Sequence, residues 1–366
     1  MTLDDRARHA AREFRRVADT MHRAGDDQRP FDRFDRFRQR RQRTQRFGVI
    51  AVAAAVSISA SFVAIRAFPT ADQKRPAHAW SVNGRIVFGR SAPNVDETRL
   101  FSILPDGSHE LALPVSFTDC AEWSPDGTQM HLTASEYPGS RLRPAVVRAD
   151  GTGFTLLDAT TDANLNLGCG DWTPDASRLV LEGFPQAGDP SLNGIYSVRS
   201  SDGGDLEVLS GNPYGGYDAV PQVSLADGSI VFLRTDPARQ LPNDVGALFV
   251  MRTDGSGLRR ITPWGLAASS GGWSPDGQWI AFTTPSRELY LVHPDGTGLA
   301  PMTVDLPAGA PTQPRWSPDG AELVFGLRTN NRGDIYTVAV EGSDLTQITD
   351  TPTIDERWPD WGTNGG

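Results

Sequence analysis

Trp123-Ser124-Pro125-Asp126-Gly127 recurs unchanged at Trp273-Ser274-Pro275-Asp276-Gly277 and at Trp316-Ser317-Pro318-Asp319-Gly320, and Trp172-Thr173-Pro174-Asp175-Ala176 departs from it at two positions. Weaker copies begin at Trp80 (WSVNG), Val223 (VSLADG, one residue longer) and Trp361 (WGTNG). The seven marks lie 43, 49, 51, 50, 43 and 45 residues apart and enclose six units. A second mark falls once inside each unit, at Asp106-Gly107, Asp150-Gly151, Asp202-Gly203, Asp254-Gly255, Asp295-Gly296 and Glu341-Gly342. Both marks are turn chemistry: proline fixes φ, aspartate bonds its own backbone, and glycine accepts the positive φ that closes a hairpin. Between them run alternating strands such as Ile86/Phe88, Met130/Leu132, Ile280/Phe282 and Leu323/Phe325 after the first turn, and Leu100/Phe101, Ile195/Tyr196, Leu289/Tyr290 and Ile335/Tyr336 before the second.

Each unit therefore reads as two hairpins, with the tryptophan ending the innermost strand where it can wedge between neighbours. Units of this length with four strands, repeated six times, predict an all-β chain folded as a six-bladed β-propeller over residues 80–361, with a short tail at 362–366. The first unit lacks an innermost strand before Trp80. Glu356-Arg357-Trp358-Pro359-Asp360-Trp361 is available to supply it and so to hide the sheet edges.

The rest of the chain has a different composition. Residues 1–46 hold fourteen arginines against eight acidic residues, a net of +6, whereas residues 80–366 hold 18 basic against 36 acidic, a net of −18. Phe47 to Ile65 is a run of nineteen uncharged residues, closed by Arg66. At 1.5 Å per residue it is about 28 Å long, enough to cross a bilayer. The expected order is a basic cytoplasmic segment (1–46), a single transmembrane helix (47–66), a linker (67–79) and the propeller. Arginine excess ahead of the span places the N-terminus in the cytoplasm and the propeller outside. Leu3, Ala7, Ala11, Phe14, Val17 and Met21 give residues 3–22 an apolar stripe, which suits either a cytoplasmic partner helix or lipid head groups. A chain tied to a membrane with no recognition motif is not expected to bind nucleic acid.

The repeated Trp-Ser-Pro-Asp-Gly units resemble those of the TolB-like β-propeller family, over residues 80–361. The α/β domain that precedes the propeller in that family has no counterpart, since a basic segment and an anchor stand there instead. The resemblance implies an extracytoplasmic propeller that captures a protein or peptide. Similar propellers also cap prolyl oligopeptidase-like peptidases, but this sequence has no G-x-S-x-G nucleophile elbow and its six histidines are scattered.

No catalytic residue, metal ligand set or cofactor is therefore expected: C-x-x-C and H-E-x-x-H are absent, and each turn aspartate offers a single oxygen where a calcium loop needs several. The two cysteines, Cys120 and Cys169, each lie three residues before a tryptophan, on the innermost strands of adjacent units. A disulfide and a pair of small buried side chains are both compatible with that placement. Since both turn series emerge on one face, the longer connections emerge on the other, and that face is the candidate binding surface. Tyr137, Arg141, Arg143, Tyr214, Tyr217, Arg239 and Trp264 on it are of the types that dominate binding hot spots. The function read from the sequence is a membrane-anchored extracytoplasmic module for protein or peptide binding or scaffolding. Two alternatives stand beside it: a transmembrane signalling regulator of the anti-sigma kind with the propeller as sensor, and a propeller lyase or sugar-acting enzyme that leaves no short motif.

Overall fold

The computed structural model describes residues 83–364 apart from 92–97, 118, 137–139, 160–163, 188–189, 240–244, 268, 270 and 330–331. The expected segments at 1–46, 47–66 and 67–79, the mark at Trp80 and the candidate Tyr137 lie outside the described residues. Among the described residues no helix is long and apolar enough to cross a membrane.

The chain forms six four-stranded antiparallel sheets, numbered here as blades in chain order. Blade 1 holds β1 (Asn83–Ser91), β2 (Thr98–Ile103) and β3 (Leu111–Phe117); blade 2 holds β4 (Asp119–Trp123), β5 (Gln129–Ala134), β6 (Arg143–Arg148) and β7 (Thr155–Leu156). Blade 3 follows with β8 (Leu165–Trp172), β9 (Arg178–Pro185), β10 (Gly194–Arg199) and β11 (Glu207–Gly211), and blade 4 with β12 (Asp218–Val223), β13 (Ile230–Arg234), β14 (Ala247–Met251) and β15 (Arg259–Arg260). In blade 5 are β16 (Gly272–Trp273), β17 (Ile280–Thr283), β18 (Leu289–Val292) and β19 (Ala300–Pro301), and in blade 6 β20 (Ala310–Trp316), β21 (Glu322–Thr329), β22 (Arg332–Ala339) and β23 (Thr346–Gln347). The last strand, β24 (Asp355–Thr363), returns to blade 1 and pairs with β1, with Ile86 opposite Trp361 and Arg90 opposite Glu356. The closing strand therefore runs two residues past the boundary expected at 361.

Local chemistry explains the hairpins. Gly127, Gly228, Gly277 and Gly320 close the first turn at φ of 68–76°, and the second-turn glycines from Gly107 to Gly342 lie at 78–92°. In the five first turns from Asp126 to Asp319 the aspartate accepts the main-chain N–H two residues on at 2.9–3.1 Å. Phe88, Leu132, Leu181, Phe232, Phe282 and Phe325 occupy the same place on the second strand of each blade, all fully buried. Each such side chain contributes about 2 kcal/mol of burial and together they define the radial core.

The tryptophans join the blades. The indole N–H of Trp172 donates to the Glu122 carbonyl of blade 2 (3.2 Å), that of Trp273 to the Gln222 carbonyl of blade 4 (3.1 Å), and that of Trp316 to the Gly272 carbonyl of blade 5 (2.9 Å). Cys120 and Cys169 form a disulfide between β4 and β8, with Cα atoms 5.6 Å apart, which ties blade 2 to blade 3.

Candidate functional site

Two places on the propeller gather polar and aromatic side chains, one on each face. The long-loop face carries the first. Tyr214, between β11 and β12, meets Trp264, between β15 and β16, edge to face with ring centroids 5.7 Å apart. Arg239, from the connection between β13 and β14, lies over Trp264 at 4.6 Å and Arg260 reaches the same ring at 5.8 Å. Phe249 backs Trp264 from the core at 5.7 Å, and Asp236 holds Arg239 by an ion pair of 2.9 Å. Guanidinium groups over an indole face are attracted to the ring's negative π cloud, which fixes long side chains that would otherwise be mobile. Tyr214 remains 47% exposed, so the cluster presents an aromatic edge to solvent.

The structure thus brings together three of the residues singled out by sequence: Tyr214, Arg239 and Trp264. Arg141 and Arg143 lie apart, in blade 2, facing Asp158 at 3.7 and 3.4 Å, while Arg143 also bonds Glu136 at 2.6 Å and the Leu157 carbonyl at 3.1 Å. They brace the passage from blade 2 to blade 3. Tyr217 is half-buried, its N–H donating to Thr235 Oγ1 (2.7 Å) and its carbonyl accepting from Asn212 (2.9 Å), so its main chain belongs to the loop's own scaffold.

The second place is the channel mouth on the short-turn face. The residue before each tryptophan-equivalent mark supplies it: Asp360 from blade 1, Glu122 from blade 2, Asp171 from blade 3, Gln222 from blade 4 and Arg315 from blade 6 line a cavity of about 110 Å³. Blade 5 has Gly272 there, where a Cβ would come within 2.5 Å of the Pro314 carbonyl. A bulge precedes this position in the inner strands. Cys120, Val220, Gln313 and Trp358, each three residues before the mark, hold φ of 48–54°, and the ladders of β4, β12, β20 and β24 slip at the same points. A bulge bends the strand and re-aims the side chains beyond it, which turns the next polar residue toward the axis. At Val220 the freed N–H donates to Glu182 Oε2 of blade 3 (2.9 Å).

Glu122 is the hub of this floor, accepting from Arg315 Nη2 at 2.7 Å and from Gln222 Nε2 at 3.4 Å. Asp360 accepts the Trp123 N–H (2.7 Å), while Asp171 accepts those of Trp172 (2.7 Å) and Val223 (2.9 Å). Burial, reinforced by the Glu122 charge, pushes Asp171 up to about 7 and Asp360 well above the carboxylate range. Burial pulls Arg315 down, and the charge and hydrogen bonds of Glu122 more than restore it. Three carboxyl groups face one guanidinium at this end of the channel, and the raised Asp171 and Asp360 keep the excess negative charge small below neutral pH. Asp119 beside the disulfide offers no metal set, because both neighbouring sulfurs are bonded to each other. The repeat marks do not include the floor; its signal in the sequence is the mostly polar series Asp360, Glu122, Asp171, Gln222, Gly272 and Arg315, each one position before a mark.

No protein-family model matches the chain. Its structure is similar to TolB from Acinetobacter baumannii, with a TM-score of 0.60 and 19% identity over 76% of this chain; it spans 66% of that one, just under two thirds. The fold is a TolB-like propeller. A TolB chain from Agrobacterium tumefaciens matches with a TM-score of 0.52 and 17% identity, covering 73% of this chain and 89% of that one. A chain of a nidogen/laminin complex matches with a TM-score of 0.58 and 10% identity, covering 77% of this chain and all of that one. At such identities the TolB-like likeness is one of fold, and the two faces of this propeller must be read from their own residues.

Proposed function

We propose that this chain is a membrane-anchored module that holds its TolB-like propeller outside the cytoplasm and binds a protein or peptide partner on the long-loop face, without catalysing a reaction. One observation carries the reading: three separate connections deliver Tyr214, Arg239 and Trp264 to one exposed cluster. Rigid aromatic anchors and guanidinium groups supply much of the energy of protein interfaces at low entropic cost. The propeller of a nidogen/laminin complex shares the fold and belongs to a protein assembly. The nineteen uncharged residues from Phe47 to Ile65 support the anchor, and the arginines ahead of them support the orientation.

A photo-crosslinking residue at position 214 of the full chain tests this in cells. A discrete adduct is expected, reduced at least about tenfold by Trp264→Ala, as expected for a hot-spot truncation. No such adduct is expected when the probe stands at Phe154, which lies on the short-turn side of blade 2. An adduct indifferent to Trp264→Ala overturns the assignment of the face. Protease added to spheroplasts should remove the propeller and leave residues 1–46 intact; the reverse pattern overturns the topology.

A further inference from the structure

We infer that the partner brings one carboxylate side chain, with an aromatic or aliphatic residue beside it, to the long-loop cluster: the carboxylate to the Arg260 guanidinium and the apolar residue to the exposed edge of Tyr214. This chemistry rests on the long-loop face being the docking surface, and it specifies what a partner must carry to use that face.

Charge on the outer half of blade 4 runs against that of the whole. Residues 80–366 carry a net of −18, yet residues 247–267 hold Arg252, Arg259 and Arg260 against Asp254 alone, a net of +2. Successive side chains of a strand point to opposite faces, which separates the two arginines of β15. Arg259, opposite Val250, donates to the Pro294 carbonyl of blade 5 at 3.1 Å. Arg260, opposite Phe249, turns instead to Trp264, the ring that Phe249 backs. Arg252 stands just past β14 on the short-turn side, where it bonds Ser256 at 3.4 Å.

Within the cluster the two guanidinium groups differ. Arg239 is already neutralised by the buried Asp236 at 2.9 Å. Arg260, exposed at the sheet edge, has no carboxylate within ion-pairing distance and makes no hydrogen bond among the described residues; its contact is the Trp264 ring at 5.8 Å. The cluster therefore carries a surplus of one positive charge, solvated in the free protein and open to a partner. The attraction of the indole face holds that guanidinium near the ring before anything binds, which lowers the entropy lost on docking.

A guanidinium presents a planar fork that a carboxylate meets with two parallel hydrogen bonds. One surplus charge matches one carboxylate, whereas a phosphate ester, at about −1.5 to −2, would leave negative charge over on an acidic propeller. The same acidity works against polyanions: an anionic lipid surface or a nucleic acid brought to Arg260 meets the field of the other blades within a Debye length of about 8–10 Å. A peptide with a single acid escapes most of that repulsion. Its neighbouring residue finds an apolar rim, since Tyr214 is 47% exposed and the exposed Pro213 and Pro263 each precede an aromatic of the cluster.

Selection of phage-displayed random dodecapeptides on the full chain in detergent tests the assignment, with the winning sequence remade as a labelled peptide for fluorescence anisotropy. Peptides whose binding is lost in Trp264→Ala are expected to share an Asp or Glu beside Phe, Tyr, Leu or Ile. Replacing that acid by its amide should weaken the peptide about tenfold, as expected for a charge-assisted hydrogen bond, and Arg260→Glu should weaken it at least as much. A peptide with lysine in place of the acid should bind the Arg260→Glu chain better than the parent. Arg252→Glu, the same change of charge on the short-turn side, should leave binding unaltered. Peptides that depend on Trp264 but share no acid, or whose acid is indifferent to Arg260→Glu, overturn the inference and leave the docking face standing. Peptides that ignore Trp264→Ala overturn both. Capture of phosphatidylglycerol vesicles through Arg260, with no acidic peptide selected, makes the surface a lipid contact and overturns the inference as well.

Discussion

Ala176 holds φ at 56° in the turn where the equivalent residues Gly127, Gly277 and Gly320 hold 68–70°. An alanine pays about 1 kcal/mol or more for its Cβ in that region. Ala176→Gly should therefore raise the stability of blade 3 by about 0.5 kcal/mol net, since glycine's freer unfolded chain offsets part of the relief; urea denaturation reads the shift. His131 makes the opposite case, a side chain that no pattern announced. It is fully buried on β5, both ring nitrogens lack hydrogen-bond partners among the described residues, and burial drives it down to about 3. Since its folded value lies below the unfolded one, the folded state binds fewer protons, and stability falls as pH drops from about 6.5 toward 3, by up to about 1.4 kcal/mol per unit. Asp171 opposes it, being raised to about 7: its burden is present at neutral pH and is relieved as pH falls toward its unfolded value. His131→Leu should flatten the acid limb of a denaturation series between pH 6 and 4, and an unchanged slope would falsify this account of the histidine.

The strands show why the fold was legible and the channel was not. Turn residues act through local backbone geometry, so Pro125-Asp126-Gly127 announces a hairpin wherever it stands. The floor residues Glu122, Asp171, Gln222 and Arg315 acquire their meaning only when six inner strands converge, and their direction depends on bulges that put valine and tryptophan at positive φ against their own preference. The long-loop cluster is intermediate: Tyr214 and Trp264 were visible as residue types, but nothing in the chain separated them from Arg141 and Arg143, which serve as braces. The cysteines belong to the same scale. Their spacing of 49 residues marks equivalent strands, and the bridge between β4 and β8 stiffens the bulge that carries Cys120 two residues before Glu122. Closing a loop of that length contributes about 2–4 kcal/mol. Cys120→Ser with Cys169→Ser should lower the urea midpoint accordingly, and dithiothreitol should then have no further effect; a double variant as stable as the parent would remove the bridge from the account of stability.

At the scale of the whole molecule the closing strand decides whether six blades behave as one body. Every other blade is built from consecutive strands, whereas blade 1 joins β24 to β1 across the length of the propeller. The joint is strong where it is buried. Glu356, 0% exposed, accepts from Arg90 Nε at 2.8 Å; the same guanidinium also bonds Glu110 at 2.8 Å and stacks over Phe101 at 4.1 Å. On the far side Gly362 lies so close to Trp123 that a Cβ would come within 2.7 Å of the ring, which joins the closing strand to blade 2 as well. A ring with one such joint unfolds cooperatively only while the joint holds, because each blade lends its faces to both neighbours. A chain ending at residue 354 should leave β1 with an unpaired edge and uncover Ile86 and Phe88, a template for association with other chains. The expected result is a broadened, lowered thermal transition and oligomers in size-exclusion chromatography, both reversed by a synthetic peptide of residues 355–364. Arg90→Ala should act in the same direction through the buried carboxylate it strands, at a cost of about 3 kcal/mol. If the truncated chain melts as sharply and as high as the parent, closure by β24 contributes nothing to the unity of the propeller, and the blades must be held by the indole bonds and the disulfide alone.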